Sequence, residues 1–464
     1  MKAIENIMRK IRGLTNKLAF FLIFVLALLS SIYTAKSLEI GNQIDLFKKN
    51  ETDQVSILKN RENQEFHRVF QNPRGKTYYV DKTQGNDDNS GLKENLAFKT
   101  INRANQAVAF GDIVYVKKGI YNENITVKAS GKSDQWIVFK AFPGHKPVVK
   151  SNALDGTFSI KGNYIEIKGF EIITTSDGSG IYVGKNNHHV KLIGNKIHDA
   201  GCGGISGQET DYLYIEANTV YRNGFIAVYQ CSGISIYQAI SSDTKSGFHN
   251  IIRRNISYAN ENKVTNYSGK ITDGNGIIVD DFRHTQGQAS LPKYTGATLV
   301  ENNIVFNNGG RGIHVFESDN VVVRNNTSFQ NLASSQLDGT LNGELSAYFS
   351  SNVKFYNNIA SARDTKIALV EYSSMGNVWD YNLSHNGSVV VENSLGNHNL
   401  VNFNPVFVKP SNDPMQANFH LQSTSPAINA GTDQIPTEFD FDGNKRPLGE
   451  KYDMGAYEFI FSSK

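Results

Sequence analysis

Between about residue 155 and residue 382 the apolar positions alternate with polar ones over short runs, and the runs themselves recur. One recurring element is a glycine followed by alternating apolar residues: Gly180-Ile-Tyr-Val, Gly204-Ile-Ser-Gly, Gly233-Ile-Ser-Ile, Gly276-Ile-Ile-Val and Gly312-Ile-His-Val. The other is an apolar strand that ends on asparagine, at Asn195, Asn218, Asn255, Asn303, Asn326, Asn358 and Asn382. The successive spacings are 23, 37, 48, 23, 32 and 24, so a coil of about 23 residues with variable insertions accounts for all of them. A fixed period of this length marks a solenoid. Short strands with a period of two put one face inward on each coil, and each coil pairs with the next at ~4.8 Å. Asparagine suits a recurring bend because it tolerates left-handed φ and its amide can bond the amide of the next rung. A β-sandwich would alternate likewise but would not repeat one asparagine in phase seven times. The pattern predicts an all-β, right-handed parallel β-helix.

The ends differ from the repeat. Residues 98–108 carry Ile101, Ala104 and Val108 at helical spacing, which predicts a short amphipathic helix capping the first coil. Residues 405–464 lose the coil phase and are expected to close the last rung. At the amino end, Lys2, Arg9, Lys10, Arg12 and Lys17 precede an apolar run from Leu18 to Leu29, and Ala35-Lys36-Ser37 offers a small-x-small cleavage site. Residues 1–37 therefore read as a secretory signal, with an uncleaved membrane anchor as the alternative. Residues 38–75 read as a polar linker and 76–404 as the β-helix. The expected destination is secreted or periplasmic. A formal charge of +3 over 464 residues gives no case for a nucleic-acid partner.

The asparagine ladder, together with Asp273-Gly-Asn-Gly-Ile and Gly309-Gly-Arg-Gly-Ile-His, resembles the pectate-lyase-like right-handed β-helix superfamily. Tyr78-Tyr-Val-Asp through Gly119-Ile-Tyr-Asn-Glu-Asn is similar to its opening coils. Ser425-Pro-Ala-Ile-Asn-Ala-Gly and Asp453-Met-Gly-Ala-Tyr-Glu are similar to its closing region. The resemblance implies a carbohydrate-processing protein and leaves the reaction open, because one such fold hosts lyases, hydrolases, epimerases and binding proteins.

With each leading glycine as position zero, the outward columns are Tyr182, Ser206, Ser235, Ile278 and His314, then Gly184, Gln208, Tyr237, Asp280 and Phe316. The next column, at the bend, is Lys185, Glu209, Gln238, Asp281 and Glu317. Long insertions at 260–272 and 283–296, and after Gln238, flank the same strands, where loops on a rigid scaffold usually carry function. Asp280, Asp281, His314 and Arg283 are the candidate catalytic residues. Arg311, Glu317, Tyr237, Gln238, Glu209 and Gln208 are candidates for holding substrate. A bland alternative is a solvated strand end with solubility charges. Adjacent carboxylates repel, so they share a proton, pair with arginine or bind a cation, and Asp280, Asp281 and Glu317 could hold calcium. In a uronate lyase, Arg311, Arg283 or that cation would neutralise the substrate carboxylate and His314 would take the neighbouring proton. A hydrolase would use paired carboxyls. A uronate epimerase and a non-catalytic glycan-binding β-helix complete the alternatives.

Cys202 and Cys231 each lie two residues before a leading glycine, so equal phasing stacks them on neighbouring coils within disulfide range. Two reduced buried thiols are the alternative. Asp440-Phe-Asp-Gly reads as a turn.

Overall fold

The computed structural model describes residues 75–287 and 290–461. The signal and linker segments expected over 1–74 lie outside the described residues.

Three parallel sheets of eleven, ten and eleven strands wind as a right-handed β-helix. Beyond the first pairing, of Thr77–Val80 with Ile113–Val116, each full coil contributes one strand to each sheet and every strand pairs in parallel with its counterpart one coil away; Phe407–Lys409 and Asn418–Leu421 form a separate antiparallel pair. The glycine-led strands form the ten-stranded sheet. Ile181, Ile205, Ile234, Ile277, Ile313, Leu345 and Leu369 are in register along it and fully buried. They belong to one core that runs from Tyr78 to Val391.

The leading glycine is required by close approach. A Cβ at Gly312 would lie 2.0 Å from Ser328 Oγ and 2.6 Å from the carbonyl oxygen of Glu344. The polar corners are built from amides. Each side-chain Nδ2 from Asn195 to Asn382 donates to the Oδ1 of the next rung at 2.9–3.1 Å, and the ladder ends on Asn399. The left-handed residue of this bend is the one before each ladder asparagine, for example Ala217, Arg254, Asn302 and Tyr381. The asparagines are therefore selected for the amide that bonds both neighbouring rungs, not for their own φ. A second ladder, Asn223, Asn260, Asn308 and Asn331, runs along another corner and terminates on the buried carboxylate of Glu344.

The helix Ile101–Ala107 caps the first coil with Ile101 and Ala104 buried, and Thr100 Oγ1 accepts from Arg103 N–H at its start. Residues 405–461 do more than close the last rung. They pack along the flank of the third sheet, where Phe407, Phe419, Leu421 and Met454 bury Ile304, Phe306, Phe329 and Ile359. The buried Arg446–Glu458 pair sits in this segment, and Arg446 also reaches Asn302. Asp440 accepts from the N–H groups of Asn444 and Glu458, forming the expected turn.

Candidate active site

The register fixes which residues share the outer face of the ten-stranded sheet. Ser206, Ser235, Ile278, His314 and Ser346 form one column, and Gln208, Tyr237, Asp280, Phe316 and Tyr348 the next. Two sets of loops rise beside them. On one side Gln230 bonds the carbonyl of Val264 and the N–H of Thr272, while Ile271 bridges to Leu337. On the other, the buried carboxylate of Asp211 accepts from Ser242 N–H and Tyr294 O–H, which ties the insertions after Gln238 and Asp281 to a single anchor.

Asp280 is half-buried at the end of the strand Ile277–Asp280 and accepts from Gln286 Nε2 at 3.0 Å. Burial raises its pKa well above the ordinary carboxylate value. Repulsion from Asp273 is the next cause, ahead of Asp281 and Glu317. Asp273 is itself raised by burial, against the attraction of Arg311 and hydrogen bonds from Thr272 and Asn275. Among the neighbouring carboxylates, Asp273 therefore acts on Asp280 most strongly. In the sequence Asp273 stands out only as part of the Asp273-Gly-Asn-Gly motif. Its position just before the strand that ends on Asp280 was the available signal.

Asp281 goes elsewhere. It has no exposed surface and sits at φ 50°, in the bend column with Glu209, Gln238 and Glu317. It accepts from Gln238 Nε2, from the N–H and O–H of Thr285 and from Gln286 N–H. Four donors on one carboxylate fix the loop that brings Gln286 onto Asp280, so Asp281 supports the site from behind. Glu317 accepts from Thr285 Oγ1, and Glu209 pairs with Lys185. Among the described residues no three His, Cys, Asp or Glu side chains converge as a metal-holding group, and the Asp280, Asp281 and Glu317 set is not brought together as one.

His314 faces outward as the phasing predicts, yet it is only 2% exposed rather than solvent-facing. Tyr348 and Phe316 cover it, the former edge-on with ring centroids 4.9 Å apart. Its Nδ1 is 2.7 Å from Ser346 Oγ. Burial, and then the nearby Arg311 guanidinium, hold its pKa well below 6.5, so the imidazole is neutral at neutral pH. Arg311 is buried, donates to the carbonyl of Thr272 and stands over the Tyr348 ring. Its Nε has no hydrogen-bond partner among the described residues. Arg283 is turned away and bound to Asp319 and Ser351. Tyr237 is half-buried, with its phenol pushed up to about 12 by burial and by Asp280. Gln208 accepts from Tyr182 O–H.

Cys202 and Cys231 form a disulfide between neighbouring coils, with Cα atoms 5.2 Å apart. The carbonyl of Cys231 accepts from Gly274 N–H, so one hydrogen bond links the disulfide to the neighbour of Asp273.

Residues 78–227 match the family model of the Pel9A-like, right handed beta helix region. Over that span the chain carries a Pel9A-like right-handed β-helix. The uncharacterized protein YwoF of Bacillus subtilis (strain 168) is 30% identical over 133 residues, which are 26% of this chain and 28% of that protein. The matched segment thus spans little more than a quarter of that relative's length. Among solved structures, pectate lyase Pel9A is similar at 19% identity, covering 82% of this chain and 96% of that one, with a TM-score of 0.49. A rhamnogalacturonan lyase is similar at 18% identity, covering 75% and 97%, with a TM-score of 0.48.

Proposed function

We propose that this protein is an exported polysaccharide-processing enzyme that cleaves a uronate-containing glycan by β-elimination. The observation that supports it is a pair of opposite protonation biases on adjacent rungs. Asp280 is driven toward its neutral acid and His314 toward its neutral base. They lie two residues along and one rung across from each other, about 8 Å between Cα atoms. Groups whose environments push them apart in this way divide the acid and base roles. As substrate displaces the Tyr348 and Phe316 rings that cover it, neutral His314 takes the proton beside the uronate carboxylate. The released electron pair forms the carbon–carbon double bond as the neighbouring carbon–oxygen bond breaks. Protonated Asp280 delivers its proton to the departing oxygen; solvent then takes the proton from His314 and returns one to Asp280. Arg311 offsets the charge that gathers on the substrate carboxylate. Tyr237 and Phe316, half-buried on the same face, supply flat surfaces for sugar rings.

A specific observation favours hydrolysis as the second reading. Repulsion from Asp273 helps to raise Asp280, and glycosidases use one carboxyl as acid and another as base or nucleophile. Incubation with a panel of polyuronates and neutral glycans separates the two. Ultraviolet-absorbing unsaturated ends support elimination, and reducing ends without unsaturation support hydrolysis. Altered composition at constant length points to epimerisation, and no product from any glycan points to a binding protein.

A further inference from the structure

Beyond the loop wall that carries Gln286 and Tyr294, the outer face of the neighbouring eleven-stranded sheet carries a trough of about 340 Å³ that the groove chemistry does not use. Lys245, Thr295, Asn320, Val322, Asn352 and Lys354 line it. The coils set its direction. Phe248 pairs with Ala297, Thr298 N–H bonds the carbonyl of Asn320, Asn352 donates to Asn320 at 2.7 Å, and Val322 pairs with Lys354. The trough therefore crosses four successive rungs, about 14 Å along the helix axis, which suits an extended chain better than a small ion.

Its charge is the reverse of the groove's. Lys245 pairs with Asp243, and Arg283 and Lys293 share Asp319. Lys354 has no ion-pair partner among the described residues. The trough lining thus carries two lysines and no carboxylate, whereas Asp273, Asp280, Asp281, Glu317 and Glu209 crowd the groove side of the wall. Amide and hydroxyl groups of Asn320, Asn352 and Thr295 stand between the lysines, where sugar hydroxyls would need partners.

We propose that this trough is a second polysaccharide-binding site, separate from the groove, that holds an anionic glycan chain by its carboxylates. Its ligand class rests on the uronate reading above; its existence does not rest on the elimination chemistry.

The test is affinity electrophoresis of the full chain carrying Asp280→Asn, through gels cast with alginate, polygalacturonate or a neutral β-glucan. At least one polyuronate retards this protein and the β-glucan does not. Lys245→Glu with Lys354→Glu weakens that retention by about fivefold or more, and added salt weakens it further. Lys354→Glu alone gives an intermediate loss, and Lys354→Arg restores it, so misfolding of the double variant does not decide the outcome. Equal retention of all variants, retention by β-glucan alone, or no retention by either polyuronate overturns the proposal. Cleavage is followed separately on short oligouronides with Asp280 intact. No cleavage there, with lysine-dependent retention preserved, refutes the proposed function and leaves the trough standing.

Discussion

Asp273, in the loop before the strand, acts on Asp280 more strongly than the adjacent Asp281 does. Chain neighbours at a strand end diverge, and the left-handed bend at Asp281 turns its carboxylate into the loop behind the groove. Asp273→Asn removes the strongest repelling charge and lowers the Asp280 pKa. The expected result is an alkaline limb of the activity–pH profile moved toward acid. A kcat/KM profile of parent and variant measures it.

Asp281→Asn keeps the shape but removes charge from a carboxylate that accepts four hydrogen bonds. Because charged hydrogen bonds of this kind contribute more than neutral ones, the variant should lose about 2–4 kcal/mol of stability. Denaturant unfolding reads that loss. Asp280→Asn should leave stability within about 1 kcal/mol while activity falls ~10²-fold or more.

His314 is neutral because its pKa lies below 6.5, so the base form persists as the pH drops through 6.5 and the acid limb of activity falls below that value. His314→Gln should lower kcat by ~10²–10⁴-fold. Ser346→Ala should cost less, since Ser346 only orients the ring through Nδ1. Steady-state kinetics across pH checks both.

Glu344 closes the second asparagine ladder, and burial pushes its pKa from 4.5 up to about 7. A carboxyl raised on folding contributes fully below its unfolded pKa, and stability is lost as pH rises through the folded value. The protein should therefore lose up to about 3 kcal/mol between pH 4.5 and pH 8 from this group. Glu344→Gln should flatten that slope in thermal melts taken across the range.

Reduction of Cys202–Cys231 opens a link with a sequence separation of 29 residues. The expected loss is about 3–4 kcal/mol by loop-closure entropy. Activity of the reduced protein should also fall while it remains folded, because the Cys231 carbonyl holds Gly274 beside Asp273. Circular dichroism and activity before and after reduction separate the two effects.

The fold was legible because a coil repeats its own physics. The glycines recur where backbones approach too closely for a Cβ, as at Gly312, and the asparagines recur where one amide bonds two rungs. Equal phasing then correctly placed Tyr237, Asp280, His314 and both cysteines. It could not show that Tyr348 and Phe316 roof His314, nor that Arg283 turns to Asp319, because side chains from other coils and loops decide both. Asp273 escaped for a related reason. It lies three residues ahead of the leading glycine Gly276, outside the alternating columns, and alternation alone does not aim it at Asp280.

The most direct test of the central claim is the ultraviolet absorbance of products released from a polyuronate panel by the parent, by Asp280→Asn and by His314→Gln. Unsaturated ends should accumulate with the parent on at least one polyuronate and fall by ~10²-fold or more with either substitution. Equal product from all three proteins, or cleavage that never yields an unsaturated end, would contradict it.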